Sequence, residues 1–273
     1  QEGLVRYDGQ EFVVFDKYNT EAMLESQVHA LAIGNEGELW IGTEGGLLLY
    51  KRGVFQAFTE ISGLPHHVIT SIAVGYDESV WVGTRGGLAR FGGGGTRQVW
   101  TDAEGLLSSH VRSIAVAING DVWVATGMDS VKRGLQRLKG DKITTILSGE
   151  AQVGRGVSSL LPDVDGGLWA GTRGSSAGLI HVSANLKIES YFEKDGLSDD
   201  DIMSLYRDSA QSLWIGTYKG GLNRFRDGEF ATIEPVGGLS HQRVESLYED
   251  REGSLWVGTG TGGLYRFRDG QFS

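Results

Sequence analysis

One tetrapeptide constrains this chain more than any other feature: tryptophan, a small aliphatic residue, glycine or alanine, then threonine. It occurs six times, as Trp40-Ile-Gly-Thr43, Trp81-Val-Gly-Thr84, Trp123-Val-Ala-Thr126, Trp169-Ala-Gly-Thr172, Trp214-Ile-Gly-Thr217 and Trp256-Val-Gly-Thr259. The tryptophans are 41 to 46 residues apart. Such a period is too long for a leucine-rich unit and suits either a helix pair or a four-stranded propeller blade. Composition within the period decides. From Gly63 to Thr101 the chain reads SIAV, GYDES, VWVGT, RGG, LARF and QVWT. Short runs of β-branched and aromatic residues alternate with Gly and Asp turns, and no helical spacing persists for ten residues. Each period is therefore four short strands, A to D, and the fold class is all-β, a β-propeller of four-stranded antiparallel blades.

The columns of the repeat give each strand a role. Strand A ends in a Ser-aliphatic pair at Ser71, Ser113, Ser159, Ser204 and Ser246, with Ala30 in the first repeat. A small residue there lets the innermost strands converge. The tryptophan of strand B fills the wedge between neighbouring sheets. Strand C opens Gly-Leu, and strand D carries Phe15, Phe58, Trp100 and Phe192, with Ile233 in the same column. Gly-Leu marks seven C strands, beginning at Gly3-Leu4, against six A–B hairpins. The expected organisation is one propeller domain over 1–273. Residues 1–18 form a half blade of strands C and D, and six repeats follow. At Gln271-Phe272-Ser273 another D strand begins.

Composition agrees. The 273 residues include 43 glycines, 3 prolines and no cysteine, with 40% hydrophobic residues. Disordered glycine-rich segments lack that apolar share, so the glycines belong at fixed turns. Absence of cysteine excludes thiolate catalysis and zinc–thiolate sites. A net charge of −10 argues against a nucleic-acid partner, which needs a cationic surface. No apolar run approaches the ~20 residues of a membrane span, and the opening QEGLVRYDGQ lacks the pattern of a signal peptide.

The pattern L-x-x-D-x-x-G-x-L-W-[IV]-G-T-x-x-G-G-L-x-R, copied most fully from Leu247 through Asp250, Gly253, Trp256, Gly263 and Leu264 to Arg266, resembles the two-component regulator propeller repeat. The opening QEGLVRYDGQEFVVFDKYNT is similar to the first-blade region of that family. The resemblance spans essentially the whole chain. It implies a seven-bladed, periplasmic or extracellular propeller belonging to a larger bacterial sensor, with glycans as the ligands where these are known. The seventh blade would be partial here, or shared between the two ends. The repeat motif is scaffold, so it identifies the fold better than the ligand.

In propellers the D–A and B–C loops share one face. Four D–A loops begin Gly-Leu, at Gly63, Gly105, Gly196 and Gly238, where Leu plugs the blade edge and the polar residues that follow differ. The third and fourth B–C loops are longer than the first two, enclosing Gly127–Arg133 and Arg173–Ser176. Scaffold explains sameness; variation at one mouth is where a ligand site is written. The expected ligand-binding residues are Glu44, His67, Arg85, His110, Arg173, Tyr218, Lys219 and Arg243. Tyr218 offers a sugar-stacking face, and the arginines offer bidentate contacts.

Other constellations read as structure. His66, His67, His110 and His241 fall in D–A loops without an evident ligand set, so no metal or other cofactor is expected. The acids at Asp77-Glu78, Asp163, Asp165, Asp208, Asp250 and Glu252 recur beside Gly or Ser as hairpin turns require, rather than as a glycosidase pair. No Gly-x-Ser-x-Gly elbow occurs, and Gly92–Gly95 lacks the Lys-Ser/Thr of a phosphate loop. The expectation is a non-catalytic sensor propeller with no catalytic residues, binding a small polar ligand or oligosaccharide and open to self-association through unpaired blade edges. A protein-interaction scaffold is the alternative, and a lyase or glycan-cleaving propeller a further one.

Overall fold

A computed structural model describes residues 3–7, 10–91, 97–127, 132–174, 178–233 and 243–273. Among them the strands form six four-stranded sheets and one two-stranded sheet, each four-stranded sheet hydrogen-bonded in chain order from A to D. The first blade is Val28–Ile33, Leu39–Thr43, Gly46–Lys51 and Val54–Phe58, and the second Ile69–Val74, Val80–Thr84, Gly87–Phe91 and Arg97–Trp100. The third is Val111–Val116, Val122–Thr126, Gly134–Lys139 and Lys142–Ser148; the fourth is Gly156–Pro162, Leu168–Arg173, Leu179–Val182 and Ile188–Tyr191. Ile202–Arg207, Leu213–Thr217, Leu222–Arg226 and Glu229–Ile233 make the fifth; Val244–Glu249, Leu255–Thr259, Leu264–Arg268 and Gln271–Phe272 make the sixth. These are the propeller blades read from the repeat.

The expected half blade is the two-stranded sheet, Leu4–Tyr7 paired with Phe12–Phe15. Leu4 lies opposite Phe15 as Leu47 lies opposite Phe58, the register of strands C and D. Six complete blades and this pair are what the structure contains, which stops short of a seven-bladed count. One D-strand residue differs from expectation. Tyr191, not Phe192, lies opposite Leu179, and its ring stacks 5.9 Å from Trp169. Two adjacent aromatic residues made the column ambiguous, and the pairing register resolved it.

The chain forms two compact units, Gln1–Lys132 with Gln136–Thr145, and Arg133–Leu135 with Ile146–Ser273. In the first, Trp40 and Leu47 of the first blade pack on Leu64, Ile69, Val80, Val82 and Ala89 of the second. Trp81 stacks on Trp100 at 5.3 Å, and the pair covers Leu106, Val111, Val122 and Val124 of the third. In the second unit, Trp169 and Leu179 meet Leu197, Ile202, Leu213 and Ile215, while Trp214 and Leu222 meet Val244, Leu255 and Val257. Trp40, Trp81, Trp169 and Trp214 thus fill the wedge toward the following blade, and Leu64, Leu106 and Leu197 are the buried plugs expected of the D–A loops.

The motif glycine is required by this packing. A Cβ on Gly216 would come within 2.5 Å of Val244 Cγ1 and 2.3 Å of Ser204 Oγ. Ser204 faces Gly216 across strands A and B, and its hydroxyl donates to the Val244 carbonyl of the next blade at 3.1 Å. The small Ser-Gly pair therefore lets the first residue of the next strand A sit directly on strand B. Motif threonines close the B–C connection. Thr43, Thr84, Thr172, Thr217 and Thr259 each donate to the carbonyl of the strand-C glycine at 2.8–3.0 Å.

Candidate functional site

Each blade has two chemically different ends. At the A–B turn end an acid and the motif tryptophan are joined in the second blade through Ser79 and in the fourth, fifth and sixth directly, whereas the Trp40 and Trp123 indoles of the first and third have no hydrogen-bond partner among the described residues. Asp208 accepts the Ser212 N–H at 2.7 Å and the Trp214 indole N–H at 2.7 Å. Asp250 does the same for Ser254 and Trp256, at 2.9 and 2.7 Å. An arginine on strand C covers the indole, as Arg90 does Trp81 at 5.2 Å and Arg224 does Trp214 at 6.0 Å. The turn acids are hairpin structure and, in addition, anchors for the wedge tryptophans.

In the fourth blade His181 stands opposite the tryptophan where the second and fifth have Arg90 and Arg224. It stacks on Trp169 at 4.2 Å. Asp163 accepts from Trp169 Nε1 at 3.1 Å and from Arg207 at 2.7 Å, and lies 2.7 Å from His181 Nε2. Burial pushes the Asp163 carboxyl up, but His181, the Val164 N–H and Arg207 together hold it below the ordinary carboxylate value. Every oxygen of this acid–imidazole pair is spent on scaffold.

At the opposite end, the D–A and B–C loops of a blade meet through the backbone. The residue after the motif threonine donates its N–H to the residue before or at the start of strand A: Glu44 to Gln27 at 3.1 Å, Arg85 to Val68 at 3.3 Å, Tyr218 to Asp201 at 2.8 Å. Glu44, Arg85, Arg173 and Tyr218 thus occupy one column of the repeat, and its chemistry changes from blade to blade. A second variable column was not read from the sequence. In every blade the A–B pairing skips a residue between the first strand-A position and the Ser or Ala that follows: His29, Thr70, Arg112, Ser158, Met203 and Glu245. A β-bulge of this kind re-aims its side chain and recurs beside functional sites. The signal was visible in sequence as an unlike residue before a constant serine.

In the first unit these columns converge. A cavity of about 360 Å³ is lined by His29, Val68, Thr70, Arg85, His110 and Arg112. Burial, then the charges of Arg112, Arg85 and His66, hold the His110 imidazole below its ordinary value. Glu44 stands at 3.4 Å from His29. His67 is turned elsewhere: its Nδ1 and its backbone N–H both lie 3.2 Å from Glu60 Oε1, and its ring stacks on His66 at 4.2 Å.

In the second unit Tyr218 gathers the other three expected residues. Arg173, Lys219 and Arg243 place their charges 5.5, 5.7 and 6.0 Å from its ring centre. Arg243 is paired with Glu245 at 2.6 Å. Among the described residues, Arg173 and Lys219 form no ion pair with a carboxylate. The surroundings of the ring are thus taken up by cations, each worth about 0.5–1 kcal/mol at an exposed site. Tyr218 acts first as a holder for charged side chains. The acids of the neighbouring D–A loop are engaged with backbone, Asp199 accepting the Lys219 N–H at 2.6 Å and Asp201 that of Gly174. His241 and the glycines 92–95 lie outside the described residues.

Two groups bring three potential metal ligands together: Glu60 with His66 and His67, and Asp163 with Asp165 and His181. In the first, His66 Nδ1 already accepts the Val68 N–H at 3.0 Å. In the second, Asp163 is committed as described, and Asp165 accepts the Gly167 N–H at 2.7 Å. Both sets are hydrogen-bonded into turns.

No curated protein sequence matches the chain. Among solved structures, virginiamycin B lyase from Staphylococcus aureus is similar with a TM-score of 0.72 at 15% identity, over 90% of this chain and 83% of the lyase. PorZ, an essential bacterial surface component of the type-IX secretion system of Porphyromonas gingivalis, is similar with a TM-score of 0.73 at 18% identity, over 96% of this chain and 42% of PorZ. YCF48 bound to D1 peptide gives 0.64 at 14% identity, over 89% and 78%. At such identities the likeness is one of fold, and the fold serves unlike activities. The sequence pattern of the two component regulator propeller matches residues 196–219 and 238–261, which run from the D–A loop through strand B of the fifth and sixth blades. The match lies in these two blades, and the same Trp and Gly-Leu columns recur in the other four.

Proposed function

We propose that the chain is a non-catalytic recognition module of a bacterial sensor, binding an oligosaccharide or another small polar ligand at the loop ends of its blades. The observation that carries this reading is the contrast within the repeat. The Asp–Trp bond recurs in the last three blades and a pair of small residues, Ser or Ala opposite Gly or Ala, in all six, while the two columns at the loop end present His29, Thr70, Arg112, Glu44, Arg85, Arg173 and Tyr218. Packing needs the first set to be alike; nothing in packing needs the second to differ. The reading places the module outside the cytoplasm, as in the surface component PorZ, and takes the two-stranded sheet as strands C and D of a seventh blade, on its shared Leu4–Phe15 register.

An enzyme reading draws on the lyase neighbour, yet the partly buried acid–imidazole pair found among the described residues, Asp163–His181, sits at the turn end and is saturated by Trp169 and Arg207. The test is a thermal-melt screen against neutral oligosaccharides, acidic saccharides and divalent ions. A ligand at ten times its dissociation constant adds ~1.4 kcal/mol, and the midpoint then rises by roughly 3–5 °C. A rise with one saccharide class, lost in the Arg85→Gln or Arg173→Gln variant, supports recognition at the loop ends. A rise confined to metal ions, or turnover of a saccharide, defeats it.

A further inference from the structure

The cavity of the first unit is unusual in its charge. Its lining contains two arginines and two histidines, Arg85, Arg112, His29 and His110, and among the described residues no carboxylate. The chain as a whole carries −10, so two arginines lining one cavity run against its composition. It is also built rather than incidental. His29, Thr70 and Arg112 are the bulged residues of three successive A strands. The Thr70 hydroxyl donates to the Val111 carbonyl at 2.7 Å, fixing the backbone that carries Arg112. The His110 carbonyl accepts the Gly127 N–H at 2.8 Å, and the Arg85 N–H is tied to Val68 at 3.3 Å. Arg85 forms no ion pair among the described residues.

We infer that this cavity is an oxyanion site, taking the carboxylate or sulfate group of an acidic saccharide between Arg85 and Arg112. The inference rests on the recognition role proposed above and names the chemistry that role takes. Guanidinium groups are the donors best matched to carboxylate and sulfate oxygens, through charge-assisted and bidentate hydrogen bonds. At about 360 Å³ the cavity lies near the lower limit of small-ligand pockets, about 300–1,000 Å³, which suits one charged sugar rather than a long chain. His110 adds a linkage. The groups around it are Arg112 on its own strand, Arg85 from the second blade's B–C loop and His66 from the preceding D–A loop, with His29 and Glu44 paired in the first blade. A bound anion offsets the arginines, so His110 takes up a proton on binding and affinity rises as pH falls.

The test is titration calorimetry of the full chain at low ionic strength with glucuronate, inorganic sulfate and, as the neutral control, glucose. Glucuronate or sulfate is expected to bind and glucose not; which of the two binds tells a carboxylate source from a sulfated one. Arg85→Gln and Arg112→Gln should each weaken binding at least about tenfold, the order expected for one charge-assisted pair, while Arg226→Gln at the exposed end of strand C of the fifth blade leaves it unchanged. Affinity should rise from pH 7.5 to 6.0, and His110→Gln should remove that rise. Anion binding that survives both Arg85→Gln and Arg112→Gln overturns the inference. Neutral saccharides binding as tightly as acidic ones, with loss in Arg173→Gln, overturns it while leaving the recognition role standing. No binding by either class, in calorimetry and in the melt screen alike, defeats both.

Discussion

The two ends of a single blade behave as if they obeyed different rules. In the fifth blade the turn end joins Asp208, Ser212, Trp214 and Arg224 into one cluster of short hydrogen bonds and a cation over an indole, and the sixth repeats the acid and indole with Asp250 and Trp256. At the loop end of the same blades, Tyr218 stands beside Arg173, Lys219 and Arg243, whereas the second blade offers Thr70 and Arg85. The first end holds wedges together, and every blade has the same wedge to fill. The second faces solvent, so its residues are under no common packing demand. The difference assigns stability to one end and leaves the other to the recognition role proposed above.

The sharpest way to break that assignment is at the wedge itself. Trp214→Ala removes a buried indole between the fifth and sixth blades and leaves Asp208 without its donor. The expected cost is about 3–5 kcal/mol, or a fall in melting midpoint of roughly 10 °C. A next, smaller effect is expected from Asp163→Ala, which strips Trp169, His181 and Arg207 of their acceptor, at about 2–3 kcal/mol by chemical denaturation.

Its pH dependence has a defined sign. The folded state holds the Asp163 carboxyl below its unfolded value. The stabilisation is therefore complete above the unfolded value and is lost as pH falls through the folded one. The gap between parent and Asp163→Asn should narrow on acidification. A gap that widens would mean the carboxylate is not what the cluster needs.

Loop-end substitutions should do the reverse. Arg85→Gln and Arg173→Gln are each expected to change stability by less than about 0.5 kcal/mol, with Arg85→Gln abolishing the rise in the melting midpoint that an acidic saccharide produces. If either costs as much as the turn-end variants, the division of labour within the blade is wrong. The smallest effect concerns His110. Burial and its cationic neighbours depress its imidazole in the folded state. Its contribution is complete above the ordinary value of about 6.5 and is lost as pH falls through the folded value. His110→Gln should flatten part of the acid limb of the stability curve, with His66, depressed in the same direction, and the lowered carboxyl of Asp163 supplying other parts.

Much of this architecture was legible from spacing. Six tryptophans, the Gly-Leu openings of strand C and the buried plugs Leu64, Leu106 and Leu197 follow from a period repeated along one dimension, because every blade poses the same packing problem. Arg85, Arg173, Tyr218 and His110 were found as variable loop residues. His29, Thr70 and Arg112 were not, since a β-bulge alters pairing register without changing the length of the repeat. They read as ordinary strand positions beside the constant serine. Tyr191 was missed for a related reason: only the partner strand shows which of two adjacent aromatics lies opposite Leu179.

By itself, the sequence determined the all-β class, the blade as the unit, and the residues that fill each wedge. These depend on local period and on the chemistry of Trp, Gly, Ser and Leu, which the chain states outright. Tertiary structure alone decided which side chains meet. It set Asp163 between an indole, an imidazole and a guanidinium, ringed Tyr218 with three cations, and brought Arg85, His110 and Arg112 to one cavity. Residues dozens of positions apart become neighbours only through strand register, bulges and the twist of adjacent sheets, which the period of the repeat does not specify.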